Sequence, residues 1–555
     1  MIRSRTRLAR PLSAAAPSYD VIVVGSGYGG GVAACRFARA GKQVAVLERG
    51  REILPGEFPA RFPDLRGELQ IRGHRVRSGP DTALYDVRLG EDMHVLVGCG
   101  VGGGSLINAG VALIPDRRVF ADPVWPDQIR QDGTLAKAFD RAERWLRPSA
   151  DPRAAGMTKF KALASSAGHM GLEPVAPRVT VSFEDRVSAG GIEQSACTRC
   201  GDCCGGCNVG AKTTVAATYL SDAVRHGAEV FSHAFVRHVT KSAGGSWRVT
   251  VEGRDADPEA PEVVVIEAPI VVIAAGTLGS NEILLRSRER GLALSDRLGQ
   301  GFSANGDIIA FGYGAKIDVN AVGIGHPAKI EGFEVGAAVS GQIEIVDRMV
   351  LERSLTVQEG VLPSALAPVL PLMFVPNGRL LGALQSLVNG VYRGPFAHLQ
   401  TFFAVSHDSA SGCFDLEGDR LRLTWPGVRD EPVYRRLDET LGGIVAAAGG
   451  SYVSNPLAGT VMGRQPATAH PLGGCGMGVE RSEGVVDHKG QVFDARAGRG
   501  ASDVHQGLYV IDGSIIPRSL GANPLLTITA LAERAMAHIA RDQRLVFEDA
   551  PLASA

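Results

Sequence analysis

VIVVGSGYGGGVAACRFARAGKQVAVLERG, residues 21–50, is the stretch that decides the fold. Its opening residues, Val21 to Val24, are β-branched throughout, as in a strand buried on both faces. Gly25, Gly27 and Gly30 then fall as G-x-G-x-x-G at the entrance to a small-residue helix, and Glu48 closes the next apolar run. In that context the spacing is a dinucleotide-binding fingerprint. The first glycine permits the tight turn, the second lets backbone approach a pyrophosphate, and the third lets helix and strand pack closely. The helix N-terminus faces the phosphates. Glu48 is placed to accept from a ribose 2′-hydroxyl, which suits an adenosine without a 2′-phosphate. The motif alone serves NAD and FAD equally.

Outward from this unit the chain runs to 555 residues, too many for one hydrophobic core, so roughly two or three domains are expected. A formal net charge of −1 without a basic cluster argues against a nucleic-acid partner. The 70 glycines follow no collagen-like period and concentrate in loops beside apolar strands. That distribution suits an α/β protein with backbone-lined cofactor contacts. The start, MIRSRTRLARPLSAAAPSYD, lacks a continuous apolar segment and a twin-arginine pair, and reads as a frayed tail. No run is long and apolar enough to span a membrane. The longest, 361–403, is broken by Pro363, Pro368, Pro371, Pro376, Gly378 and Arg379. The expectation is a cytoplasmic protein with at most peripheral membrane contact.

Beyond Glu48, residues 94–115 (HVLVGCGVGGGSLINAGVALIP) give a strand, a second glycine-dense loop and another apolar run. Helical spacing covers 127–146, with Leu135, Phe139, Ala142 and Leu146 on one face. Shorter helices are expected over 158–170 and 214–226. From residue 228 the pattern turns β-rich, with strands over 229–233, 235–241, 247–252 and 262–267. A buried strand at 270–275 then ends in AAGTLGS and leads into a helix from Ser280, a second strand–turn–helix unit. Pro432 opens a helix running to 448. GLYVIDGS at 507–514 precedes the last long helix, TITALAERAMAHIARD. The dinucleotide parts thus come from the start, the middle and the end of the chain. The fold class is α/β: a Rossmann-like domain, residues 18–310 and 466–545, with an inserted α+β substrate domain at 311–465 on a mainly antiparallel sheet. Residues 1–17 and 546–555 are expected to be flexible tails.

Gly98, Gly100, Gly102, Gly103 and Gly104 crowd one turn ahead of Ser105 and Asn108. Such a loop lets backbone lie flat against a ligand and offer its N–H groups. Near the C-terminus His470 opens HPLGGCGMG, and Asn523 lies in GANPLLTITALAER. Pro524 suits the first helical position, which would make Asn523 a cap, and that helix start would favour negative charge on a ligand. Taken singly, His470 reads as a structural histidine and Asn523 as a cap.

Together these blocks carry a resemblance. The fingerprint with Glu48, VGCGVGGGSLINAGVALIP, IAAGTLGSNEILLRS, HPLGGC and GLYVIDGSIIPRSLGANPLLTITALAER resemble, in order, the glucose–methanol–choline (GMC) oxidoreductases. The nearest branch looks like the bacterial cholesterol oxidases with non-covalent FAD. The likeness runs from Tyr19 to about Ile539 and is weakest over 311–457. It implies FAD and oxidation of an alcohol whose hydroxyl lies between His470 and Asn523. A histidine can take the hydroxyl proton while hydride goes to the flavin. Asn523 can orient the hydroxyl or touch the flavin edge, and the helix at Pro524 would favour charge gathered on reduced flavin. By the same resemblance Gly103, Gly104, Ser105 and Asn108 lie along the isoalloxazine and phosphates, beside Ala275 and Gly276. Asp512 reaches the ribityl or pyrophosphate. A substrate-domain glutamate that shuttles a proton in the cholesterol oxidases has Glu359 as its best local counterpart, in surroundings that depart from the family pattern.

The cysteines depart from that branch as well. Of nine, five fall in ACTRCGDCCGGCNVGAKTT, where Cys197, Cys200, Cys203 and Cys207 give C-x2-C-x2-C-x3-C with Cys204 extra. This is the bacterial ferredoxin spacing, with Asn208 where proline usually follows. The fourth cysteine of such a run serves a second cluster in two-cluster ferredoxins, so a single cluster needs Cys207 to fold back or another ligand, Cys204, Cys99 or Cys475. An iron–sulfur cluster is the leading reading. Zinc, free thiols and a disulfide are the alternatives. A cluster would imply an electron-acceptor protein; without one, oxygen is the simpler acceptor. The expected substrate is a hydrophobic, sterol-like alcohol, with residues 361–387 covering its pocket or simply packing the inserted domain. A sugar or long-chain alcohol is the runner-up, and a flavin and iron–sulfur electron-transfer module without alcohol oxidation is the second alternative.

Overall fold

The structure is a computed structural model, and it describes residues 6–74, 76–254, 262–374, 386, 390–454, 463, 465–496 and 503–552. The runs of valine and isoleucine become the centre of a seven-stranded sheet. Its strands are β1 (Ala9–Arg10), β2 (Val21–Val24), β3 (Val44–Leu47), β4 (Glu229–Phe231), β5 (Ile270–Ile273), and, from the C-terminal part of the chain, Gln491–Phe493 and Val504–Val510. The spatial order is β1, β4, β3, β2, β5, then Val504–Val510 and Gln491–Phe493. All pairs are parallel except the last, with Val21 opposite Val44 and Ile270 opposite Val21. Both faces of β2, β3 and β5 are covered, which is why these strands are apolar without alternation.

Helix α1 (Tyr28–Arg39) follows β2, and its glycines set how closely it lies. A Cβ on Gly30 would stand 2.0 Å from the Gly25 carbonyl oxygen, and one on Gly29 would stand 1.6 Å from that of Ile511. Only glycine lets the helix settle there. α1 carries Arg36 into the interior, where Nε and Nη2 donate to Glu533 at 3.0 and 2.6 Å. Glu533 also accepts from the Tyr219 hydroxyl, and the guanidinium lies 4.8 Å over the Trp145 ring. Glu533 belongs to α3 (Leu525–Gln543), the last helix; α2 (Gly276–Glu289) follows β5. The second strand–turn–helix unit is therefore present, with its helix beginning four residues before Ser280.

The inserted domain is built on a five-stranded antiparallel sheet. In chain order its strands are β6 (Ile308–Tyr313), β7 (Gln342–Ile345), β8 (Leu355–Gly360), β9 (Gln400–Val405) and β10 (Ser451–Val453), ordered β7, β8, β9, β6, β10 in space. The sheet begins at Ile308, and the helix Pro432–Ala447 packs on it.

Several expectations are corrected. The helix expected over 127–146 is two, Asp127–Gln131 and Thr134–Leu146, because Gly133 adopts φ 65° between them. The helix expected over 214–226 is a π-turn, Ala216–Leu220, running into Ser221–Arg225. Neither end is a loose tail where described. Ala9 and Arg10 add an edge strand, and the Glu52 carboxylate accepts from the Leu8 and Ala9 amides at 2.9 Å. At the other end Arg39 donates to the carbonyls of Glu548 and Ala550, and the Trp145 indole to that of Asp549. Part of the 361–387 segment, from 375 on apart from Ser386, lies outside the described residues. Among the described residues no helix is long and apolar enough to cross a membrane.

Candidate active site

A cavity of about 610 Å³ runs from the first βα turn to the inserted domain. Gly25, Gly27, Glu48, Gly103, Gly104, Asn108, Ala275, Gly276, Asp512 and Pro524 all line it, together with His470 and Asn523. The glycines divide by role. Gly25, at φ 94°, and Gly30 are held against neighbouring backbone, and Gly30 is not part of the lining. At Gly27, Gly104 and Gly276 an added Cβ would meet no protein atom within 4 Å, so it would project into the cavity. These are open cradle positions, shaped for a ligand that touches backbone. Asn108 donates to the Tyr28 hydroxyl at 2.8 Å, while its own Oδ1 is buried without a partner. An acceptor waiting in a glycine cradle suits a bound dinucleotide with hydrogen-bond donors. Glu48 is fixed by Ser26, whose amide and hydroxyl donate to Oε2 at 3.1 and 2.6 Å, and by the Gly50 amide on Oε1. Its remaining acceptor capacity faces the cavity.

Two expected contacts differ. Ser105 is turned away from the cavity: its hydroxyl donates to the Gly102 carbonyl at 2.6 Å and accepts from the Val215 amide at 3.0 Å, so it braces the loop instead. Asp512 spends both oxygens on protein donors, Gly276 N and Ser280 Oγ on one and Ser514 N and Oγ on the other. It fixes the start of α2, and burial pushes its carboxyl up from the usual range.

At the far end of the cavity His470 and Asn523 come together, with His470 Nε2 3.4 Å from Asn523 Nδ2. Asn523 does not cap. Pro524 is itself the N-cap of α3, so the helix starts at Leu525, one residue after the expected position, and the Asn523 side chain points across to the inserted domain. There Gln358 Nε2 on β8 donates to Asn523 Oδ1 at 2.7 Å. Behind His470 lies Asp307, whose Oδ2 is 3.2 Å from Nδ1, off the line of a good hydrogen bond, and accepts from the Ala469 amide at 2.8 Å. The loop bearing His470 is pinned by the Thr277 hydroxyl on the Pro471 carbonyl and by Thr468 on Ala304. Asp307 and Gln358 carry no sequence signal of their own; only the fold brings them to His470.

Residues 19–303 and 459–532 match the GMC oxidoreductase family. The chain belongs to the GMC oxidoreductases. It is 27% identical to a cholesterol oxidase of Mycobacterium tuberculosis, over 94% of this chain and 90% of that one. It is 26% identical to the cholesterol oxidase of Acinetobacter baumannii over 94% of each. A long-chain-alcohol oxidase of Arabidopsis thaliana is 26% identical, over 92% of this chain and 66% of its own length. Among solved structures, pyridoxine 4-oxidase from Mesorbium loti superposes with a TM-score of 0.62 at 17% identity, covering 94% of this chain and 99% of that one. The cradle is thus that of a FAD-dependent GMC oxidoreductase acting on CH–OH groups, and its open glycines and unpaired Asn108 oxygen fit the cofactor.

Within this GMC oxidoreductase Glu359 is not in the site. Side chains alternate along β8, so Gln358 turns toward Asn523 and Glu359 to the opposite side. Its Oε1 accepts from Lys159 Nζ at 2.7 Å and from the Ser340 and Gly341 amides. Burial raises this carboxyl to about 7 in spite of the lysine.

The cysteine loop is docked beside the cavity, and Cys204, the cysteine outside the ferredoxin spacing, is the one that lines it. Cys197, Cys203 and Cys207 lie within electrostatic reach of one another, as does Cys200 of the last two. Among the described residues, however, no three Cys, His, Asp or Glu side chains converge where one metal ion could be held. The loop is closed by protein contacts: Asp202 accepts from Ser364 N and Oγ, and Asn208 accepts from the Gly56 and Phe58 amides. Burial pushes the Cys197 and Cys204 thiols up to about 12.

Proposed function

We propose that this enzyme oxidises a hydrophobic, sterol-like alcohol to the ketone or aldehyde. The observation that carries the reading is the cavity's lining where it meets the inserted domain: Leu65, Leu69, Leu96, Ile107, Ile309, Leu362, Leu366 and Phe403. Its charged residues Arg49, Asp86, Arg88, Glu282 and Arg286 are paired among themselves close to Glu48. A sugar would need polar partners for many hydroxyls, and the apolar walls offer none. The resemblance to cholesterol and long-chain-alcohol oxidases points the same way.

Bound FAD supplies the hydride acceptor. His470 Nε2 faces the cavity and takes the hydroxyl proton, while Asn523 holds the oxygen end of the substrate beside it. Asp307 behind His470 holds the ring and favours the positive charge that arrives with the proton. The N-terminus of α3, at Pro524, opens onto the cavity and favours negative charge gathering there. Anaerobic flavin bleaching by sterols, long-chain alcohols and sugars tests the substrate class. Sterols or long-chain alcohols are expected to bleach the flavin; bleaching by sugars alone would refute it. His470→Ala is expected to slow bleaching by about 10²–10⁴-fold with flavin still bound, and an unslowed variant would remove His470 as the base.

A second proposal concerns where the electrons go. Cys197, Cys200, Cys203 and Cys207 suit a polynuclear iron–sulfur cluster, whose separate irons do not require thiolates to meet at one point. Three observations support this. The Arg199 and Ala338 amides donate to Cys197 Sγ and Cys203 Sγ at 3.3 and 3.4 Å. Buried Lys212 donates to the carbonyls of Leu106, Asn108 and Cys203, joining the flavin loop to the cysteine loop. The thiols of Cys203, Cys204 and Cys207 stand within electrostatic reach of the Lys212 ammonium. A cluster there would supply one-electron transfer to an acceptor protein. Anaerobically purified protein should contain iron and acid-labile sulfide, both lost in Cys200→Ser; their absence from the wild type would refute the cluster.

A further inference from the structure

An asparagine amide can present either its donor or its acceptor to a neighbour, and Asn523 must present one of them to His470. The structure fixes which. Glu344, exposed on β7, is a carboxylate and only accepts, so Gln342 Nε2 donates to it at 2.8 Å. Gln342 Oε1 is then left facing Gln358, its partner in register on β8, and lies 3.3 Å from Gln358 Nε2. That same Nε2 donates to Asn523 Oδ1 at 2.7 Å. Asn523 Nδ2 therefore faces His470 Nε2 at 3.4 Å, and it can only donate. At the other end Asp307, an acceptor, stands 3.2 Å from Nδ1. Asn523 Nδ2 also lies 3.4 Å from Gln358 Oε1, so the two amides pair in both directions, and each bond keeps Nδ2 as the donor.

We propose that Gln358 is a positioning residue: the amide row from Glu344 through Gln342 and Gln358 to Asn523 keeps the proton of His470 on Nδ1, so that Nε2 presents its lone pair and meets only the long Asn523 contact, which a substrate hydroxyl displaces. The row joins the inserted domain to the catalytic histidine, so the base is ready only when the two domains meet. It rests on the reading of His470 as the base. The charged groups facing it are Asp307 and Glu344 at its ends, the Glu359–Lys159 pair behind β8, and Asp408, whose Oδ2 accepts from Gly306 beside Asp307.

Gln358→Glu reverses the polarity. A carboxylate cannot donate to Asn523 Oδ1, so the asparagine turns its Nδ2 to the new carboxylate and offers Oδ1 to His470, which draws a proton onto Nε2. In the holoenzyme the rate of anaerobic flavin reduction is expected to fall by about a hundredfold or more, as wrong-tautomer histidines do, and the acid limb of its pH profile to move upward. Gln358→Leu, which carries no buried charge, is expected to lower the same rate with little change in KM and flavin content. Glu359→Gln, on the opposite face of the same strand, should leave rate and profile as in the wild type. A wild-type rate and profile in both Gln358 variants would overturn the relay, as would a loss of rate explained by lost flavin. If His470→Ala keeps its rate, the reading of the base fails; if that variant is slow while both Gln358 variants are normal, the relay alone fails.

Discussion

Gly27 does for the cofactor what no other residue type could do without filling its place. Its backbone is extended, at φ −70°, so a side chain would bring no strain, and its Cβ would point into open cavity. Gly27→Val is therefore expected to fold as the wild type yet weaken FAD by about 3 kcal/mol, roughly a hundredfold in Kd. Flavin content after purification and the thermal midpoint of the cofactor-free protein check the two halves. Gly30 would behave oppositely, since its Cβ collides with Gly25 backbone; substitution there would unfold the motif itself. The sequence placed both glycines in one fingerprint. It could not separate the ligand-facing one from the packing one, because that depends on which carbonyls lie across the turn.

At the scale of elements, the alternation of β8 sorts two neighbouring polar residues to different tasks. Glu359 is raised by burial from 4.5 to about 7. The native state thus holds a proton that the unfolded chain has released between those values, and the stability from this group is lost as pH rises through about 7. Glu359→Gln should flatten that decline, by up to about 1.4 kcal/mol per pH unit, in urea melts compared variant against wild type at each pH. The paired comparison removes His407, which is lowered to about 4 and has the opposite sign, losing stability as pH falls. Helices α1 and α3 are held by Arg36 and Glu533, both fully enclosed. Arg36→Met leaves that carboxylate uncompensated and is expected to cost about 3–5 kcal/mol in the same melts. Neither pair was visible in sequence, since the partners stand 200 and 497 residues apart.

Across the whole molecule, the cofactor cavity takes its walls from the first βα turn, the second glycine loop, α2, the inserted sheet and the start of α3. A ligand in it binds the folded chain alone. The thermal midpoint should therefore climb with added FAD, by an equivalent of about 2.7 kcal/mol at a hundredfold excess over Kd; a midpoint indifferent to FAD would contradict the assignment of the cavity. What the sequence determined by itself was whatever is written in short-range pattern. The buried valine strands, the G-x-G-x-x-G turn with Glu48, the second glycine loop and the ordered blocks near His470 and Asn523 each carry their signal within about thirty residues. They gave the α/β class and the dinucleotide and, through the family resemblance, the pair proposed as catalytic. The tertiary structure decided the rest, because those answers depend on contacts between distant segments. It turned Ser105 and Glu359 away from the cavity and tied down the described residues near each end, from Leu8 to Arg10 and from Glu548 to Ala550. It set Asp307 behind His470, and it brought Gln358 from the inserted sheet to Asn523 beside His470.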